Sequence, residues 1–160
     1  MRLTSSNQSP SLVYSRTPCF LETPHTGLSQ KGWRALDLFS GSGSVARVLR
    51  DLGWEVLTLD NAERARADIS QDILEWEYWN FPKGYFQLVT AGPPCQEYSM
   101  AKTIGTRDLE GADKLILKTL EIIKYFEPVL WWLENPRGGL LKSQGLLDSF
   151  AFVDVDYCQF

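Results

Sequence analysis

The sequence has little cysteine, no excess of positive charge and no long apolar run. Its three cysteines, Cys19, Cys95 and Cys158, are far apart and odd in number, and none belongs to a CxxC pair. This excludes a disulfide framework and a cysteine-based metal or redox site, so no metal is expected and the compartment reads as reducing, cytoplasmic or nuclear. The longest apolar run, Pro128 to Leu133, is strand-sized, whereas a membrane span needs roughly 18 residues, so no membrane partner is expected. Sixteen Lys and Arg against 20 Asp and Glu leave a formal net charge of -4. Phosphate contacts need clustered cations, so a nucleic-acid substrate would require a basic surface that this chain does not carry. No internal repeat is present.

What is present suits one globular domain: 160 residues, 44% of them hydrophobic, with six Trp, six Tyr and eight Phe for the interior. The first part is different. Residues 1–31 are rich in Ser, Thr, Pro, Asn and Gln, carry Pro10, Pro18 and Pro24 as breakers, and read as a flexible leader. Up to Leu21 that stretch has Arg2 and Arg16 and no acid, which also suits an organelle transit peptide, the lesser expectation. Residues 32–160 read as the folded domain. Short apolar runs alternate there with helical patterns, the signature of βα units around a parallel sheet. Strands are expected at Ala35–Phe39, Glu55–Leu59, Phe86–Ala91, Val129–Leu133 and Ala151–Tyr157. A helix over Gly43–Leu52 would carry Val45, Val48, Leu49 and Leu52 on one face, with Gly53 as its stop. A second over Glu110–Phe126 would carry Ala112, Ile116, Leu120 and Ile123. The fold class is therefore α/β, a doubly wound and mostly parallel sheet.

Four segments can carry chemistry. Leu36-Asp37-Leu38-Phe39-Ser40-Gly41-Ser42-Gly43-Ser44 is a glycine-rich turn between a strand and a helix, where backbone amides converge on a cofactor. It lacks the third glycine of the dinucleotide fingerprint, and a merely structural turn is the competing reading. Asp60, about twenty residues on and at the end of the second strand, is placed to bind both ribose hydroxyls of an adenosine. Asp68 could accept from an adenine amino group or simply cap a local turn. Ala91-Gly92-Pro93-Pro94-Cys95-Gln96 follows a strand, and its two prolines fix a turn that presents a thiol at the sheet edge. Leu133-Glu134-Asn135-Pro136 ends the neighbouring strand with a carboxyl set against Trp131, Trp132 and Leu133, which suits Glu134 to a proton-donating role.

Taken together, DLFSGSGS, an acid after the second strand, GPPCQ and ENP, in that order, resemble the DNA (cytosine-5) methyltransferase family, from Ala35 to about Tyr157. The resemblance implies a Rossmann-like methyltransferase fold and S-adenosyl-L-methionine as cofactor, with Cys95 and Glu134 catalytic. It implies a cofactor site of Phe39, Ser40, Gly41, Ser42, Gly43, Asp60, Asn61, Asp68, Ile69 and Pro94, with Gln96, Ser99, Asn135 and Pro136 on the substrate side. The implied reaction is methyl transfer to carbon 5 of a flipped cytosine in DNA through a covalent Cys95 adduct. The same scaffold can serve RNA. Glu97 departs from the family pattern, which more often has a small or prolyl residue there, and it would put negative charge near the substrate mouth. The family's later parts, an arginine-bearing strand, a target-recognition domain and a closing segment, find no counterpart. The domain is thus expected to be incomplete at its C-terminal side, with C-terminal strands missing and a complementing chain as a candidate partner. A catalytically incomplete module that binds S-adenosylmethionine or regulates a full enzyme is the competing reading.

Overall fold

A computed structural model describes residues 11–15, 32–99, 106–137 and 139–155. Seven strands form one sheet: β1 (Ser11–Ser15), β2 (Arg34–Leu38), β3 (Glu55–Asp60), β4 (Ile69–Ser70), β5 (Leu88–Ala91), β6 (Leu130–Pro136) and β7 (Ala151–Val155). Their spatial order is β4-β3-β2-β5-β6-β1-β7. The first five in that order are parallel, and β1 runs antiparallel to both of its neighbours. The sheet is thus a mostly parallel, Rossmann-like one, as the alternation of apolar runs and helical patterns predicts.

Strand alternation sorts the two faces. Leu36, Leu38, Leu59, Val89, Ala91, Trp131 and Leu133 point to the larger core, which α2 (Leu109–Phe126) closes with Ala112, Ile116, Ile122, Ile123 and Phe126. Asp108 caps α2 by accepting from the Gly111 amide at 2.8 Å, which satisfies one of the free donors of the first turn. On the other face Ala35, Leu88 and Trp54 pack under Leu49 of α1 (Ser44–Asp51). Aromatic rings extend the larger core at the far end of the sheet, where Tyr78 also donates to Glu121.

Three differences from the sequence expectation have physical causes. Only Ala46 and Leu49 of α1 are buried, while Val45, Val48 and Leu52 remain exposed, because this eight-residue helix meets the sheet along a narrow line. Strand β6 runs on through Glu134, Asn135 and Pro136, beyond the expected end at Leu133. The extension is held by pairing with β1, where Leu12 lies opposite Asn135 and Val13 opposite Glu134. The third is β1 itself, which corrects the expectation of a flexible leader over residues 1–31 at Ser11–Ser15. Leu12-Val13-Tyr14 has the β-branched and aromatic composition of a strand and finds two partners. The rest of that leader, the end of the strand expected to reach Tyr157, and Cys19 and Cys158 lie outside the described residues.

Because β1 sits between β6 and β7, Val13 faces Glu134 on one side and Val153 on the other. Proline there removes a ladder donor from a central strand and leaves its acceptor unpaired, at a cost of about 1–3 kcal/mol. Val13→Pro is expected to speed amide exchange at Ala151–Val155 sharply while leaving β2 and β5 protected, a contrast that hydrogen-exchange mass spectrometry reads directly.

Candidate active site

The parallel register decides which loops meet. Leu38 is level with Ala91, and Ala91 with Leu133. The glycine turn, the Pro-Pro-Cys turn and the Glu134 segment therefore leave the same sheet edge side by side, with neighbouring strands about 4.8 Å apart.

At the glycine turn the chain reverses through left-handed backbone at Phe39 (φ 57°), Gly41 (φ 52°) and Gly43 (φ 71°). Phe39 is the one of these that carries a side chain, and it bears a strain of about 1–2 kcal/mol while its ring packs on the larger core. The turn is closed by Gly43 N donating to Ser40 O at 2.8 Å and tied to β3 by Ser40 N donating to Leu59 O at 3.2 Å. A Cβ on Gly43 would meet nothing within 4 Å, so the backbone angle demands glycine and the space beside the turn is open. Ser42 is exposed in the turn.

Asp60 ends β3 against this turn. Its Oδ2 accepts from Gly41 N at 2.9 Å and its Oδ1 from Ala62 N at 2.7 Å, so the carboxylate is oriented by two backbone donors. Asn61 beside it is exposed. Asp68 precedes β4 and so does not end a strand. Its Oδ2 accepts from Thr58 N (2.9 Å), Thr58 Oγ1 (2.8 Å) and Arg50 Nη2 (2.9 Å), a local latch between β3, β4 and α1. Ile69, the first residue of β4, packs against the larger core.

In the third loop Pro93 is buried, Pro94 and Gln96 are exposed, and Cys95 is half-buried. The Cys95 carbonyl accepts from Tyr98 N at 3.1 Å and the Gln96 carbonyl from Ser99 N at 3.3 Å, giving a tight turn after the thiol. Glu134 is half-buried and shares the α1 face of β6 with Trp132, whereas Asn135 points to the opposite face with Trp131 and Leu133. Asn135 is 2% exposed, and its Nδ2 donates to Pro93 O at 3.4 Å. It therefore braces the proline turn from the adjacent strand. Pro136 ends β6 and accepts from Gly139 N at 3.1 Å. Among the described residues no cluster of three or more His, Cys, Asp or Glu could hold a metal ion, and no helix is long and apolar enough to cross a membrane.

A buried polar row beneath the site escapes a motif-based reading. Thr58, Asp37 and Thr90 lie at matched positions of β3, β2 and β5. Thr90 Oγ1 donates to Asp37 Oδ1 at 2.6 Å, while Asp37 Oδ2 has no hydrogen-bond partner. Burial pushes the Asp37 carboxyl above its ordinary 3.8, against the Thr90 bond and the backbone amide of Ala46, which lower it. The signal was available as a single polar residue between apolar neighbours in each of three strands, in Leu36-Asp37-Leu38, Leu57-Thr58-Leu59 and Val89-Thr90-Ala91. The bracing role of Asn135 depends on its parity with Trp131 and Leu133, which the extension of β6 beyond Leu133 alone creates.

The fold defines an α/β protein of the Rossmann-like methyltransferase class. Within that class, residues 33–150 match the C-5 cytosine-specific DNA methylase family, and the chain belongs to it. It is similar to a probable DNA (cytosine-5)-methyltransferase of Frog virus 3 (isolate Goorha), 34% identical over 141 residues that cover 79% of this chain and 64% of the viral protein. It is also similar to the type II methyltransferase M.PspPI of Psychrobacter sp. (strain TA137), 28% identical over 126 residues, 72% of this chain and 30% of the bacterial one. The chain thus spans about two thirds of one relative's length and under a third of the other's.

The raised Asp37 value fixes a pH effect. The folded state holds this proton more tightly than the unfolded chain, so the contribution to stability is full below 3.8 and is lost as pH rises through the higher folded value. Denaturant midpoints measured across that range should fall for the wild-type protein relative to Asp37→Asn, which keeps an acceptor for Thr90 and carries no titratable proton.

Proposed function

We propose that this chain is the catalytic part of a DNA cytosine-5 methyltransferase that uses S-adenosyl-L-methionine and works through Cys95 and Glu134, with residues 32–160 as the catalytic unit. The observation that carries this reading is the level register of Ala91 and Leu133, which starts the Cys95 turn and Glu134 from adjacent strands at one edge. Family membership supports it, because the family is one of cytosine-specific DNA methylases. A reducing compartment follows for an enzyme that needs a free thiol.

The residues at the glycine turn fit the cofactor. Asp60 presents an oriented carboxylate to a ribose diol, the open space beside Gly43 admits the ligand to the backbone, and Phe39, Ser40, Ser42 and Asn61 border it. Asp68 and Ile69 would border the adenine of the cofactor and Pro94 its methionine part. S-adenosyl-L-methionine supplies the methyl group as an electrophilic sulfonium substituent.

The chain's own groups do the rest. The Cys95 thiolate adds to carbon 6 of the cytosine, forming a carbon–sulfur bond and moving electron density to carbon 5. Glu134 holds ring nitrogen 3 in its protonated form and accepts from the exocyclic amine, which stabilises that density. Carbon 5 takes the methyl group, loses its proton to a base, and the electron pair of that C–H bond re-forms the double bond as the thiolate leaves. Gln96, Ser99 and Pro136, close in sequence to Cys95 and Glu134, would contact the extruded base and its backbone. The -4 net charge supports a grip on DNA supplied by a recognition region or a complementing chain.

Two measurements test this. Asp60→Ala should weaken S-adenosylmethionine binding by about 1.5–3 kcal/mol in calorimetry, the loss expected for charge-assisted hydrogen bonds to a diol; equal affinity in a folded variant would remove Asp60 from the site. With the grip on DNA supplied by a longer or complementing chain, an oligonucleotide carrying 5-fluorocytosine, which cannot lose its carbon-5 substituent, should be trapped on Cys95 in the presence of cofactor. Cys95→Ser should abolish trapping and Glu134→Gln should slow it severely, while a methylated base with no adduct at Cys95 by mass spectrometry would refute the covalent route.

A further inference from the structure

The turn bearing Cys95 has little apolar anchorage of its own, since Pro94 and Gln96 are exposed and the thiol is half-buried. Side chains just downstream hold it. Tyr98 is 0% exposed, and its hydroxyl donates to Asp113 Oδ1 of α2 at 2.7 Å. Burial, followed by that carboxylate, pushes the Tyr98 pKa up, so the phenol remains a donor. The backbone of the same residue works in two directions: its amide closes the turn on Cys95 O at 3.1 Å and its carbonyl accepts from Leu140 N at 2.8 Å.

A second attachment crosses from the turn to the head of α2. Arg107 Nη1 donates to the carbonyls of Glu97 (3.1 Å) and Ser99 (2.7 Å). Glu97 Oε2 in return accepts from the amide of Asp108 at 2.7 Å, and Asp108 is the cap of α2. The bonds run both ways, so turn and helix head form one unit. Glu97, the acid that departs from the family pattern, is thereby engaged by a backbone amide and is no free charge at the mouth of the site.

We propose that Tyr98, Glu97 and Arg107 are positioning residues that clasp the Cys95 turn to α2 and so set where the thiol stands relative to Glu134. The inference rests on the reading of Cys95 as the nucleophile. A displacement of about 1 Å in a reacting group can cost about 100-fold in rate, so a clasp of this kind governs the covalent step without touching the base. None of the three supplies a side chain whose polar group the apolar core needs: Tyr98→Phe keeps the buried ring and removes the bond to Asp113, and Arg107→Met keeps much of the stem and removes the bonds to the Glu97 and Ser99 carbonyls.

The experiment compares the full chain with Tyr98→Phe and Arg107→Met in two readouts. The first is the alkylation rate of each cysteine by iodoacetamide, resolved by peptide mass spectrometry. The second is adduct formation with the 5-fluorocytosine oligonucleotide and cofactor. The clasp predicts opposite changes in folded variants of unchanged melting temperature: Cys95 alkylation rises about tenfold as the turn loosens, while adduct formation falls about tenfold at unchanged oligonucleotide affinity. Rates at Cys19 and Cys158 stay at wild-type values. Cys95 alkylation unaltered in both folded variants overturns the clasp, and so does a parallel acceleration of all three cysteines, which marks general loosening. A selective change at Cys95 in variants of a protein that binds the oligonucleotide and cofactor yet forms no adduct even as wild type keeps the clasp and overturns the nucleophile reading.

Discussion

Parallel pairing of β5 with both β2 and β6 is the constraint on which the site depends. It sets Leu38, Ala91 and Leu133 level, so three loops whose residues lie far apart in sequence begin at one height along one edge. Hydrogen bonds in a parallel ladder repeat at every second residue, and a slip of one position would exchange the faces of a whole strand. The apolar residues of β5 and β6 forbid that slip, because Val89, Ala91, Trp131 and Leu133 would leave the larger core. The same burial that stabilises the domain therefore fixes the relation between thiol and carboxyl.

Around that edge the structure spends rigidity unevenly. The glycine turn is held by backbone bonds and by Asp60, and it tolerates left-handed backbone at Phe39 because β3 anchors the next residue. The Cys95 turn is held by side chains from two sides, Asn135 before the thiol and Tyr98 with Glu97 and Arg107 after it. Beneath both lies the row of Thr58, Asp37 and Thr90, where a partly satisfied buried carboxyl links β2 to β5. Groups of this kind stabilise less than apolar substitutes would and are retained where they fix an arrangement.

Much of this was legible in the sequence. Helix and strand positions followed from apolar periodicity, and Gly41, Gly43, Asp60, Cys95 and Glu134 stood out because each combines an uncommon residue type with a strand end. What the sequence hid was long-range or geometric. Leu12-Val13-Tyr14 is too short to announce a strand among so many breakers, and its partners lie more than a hundred residues away. Strand β6 passes through Pro136 because β1 pairs with it, which no local rule supplies. Val45, Val48 and Leu52 carry a helical pattern but lie outside the narrow contact of α1 with the sheet. Tyr98 and Glu97 read as neighbours of a motif, and only the fold brings Asp113 and Asp108 to them.

The position of β1 bears on how the domain is made. Ser11 lies opposite Pro136 and Val155, so the earliest of the described strands is locked between the two latest of them. During translation the parallel strands β2 to β5 can begin to collapse while Ser11–Ser15 waits with both edges unpaired. Pairing β1 with β6 then requires closing a loop of more than a hundred residues, an entropic cost met only when β6 and β7 emerge. The sheet can therefore be completed only after Val155 has emerged from the ribosome, and until then an exposed strand edge is available for pairing with other chains.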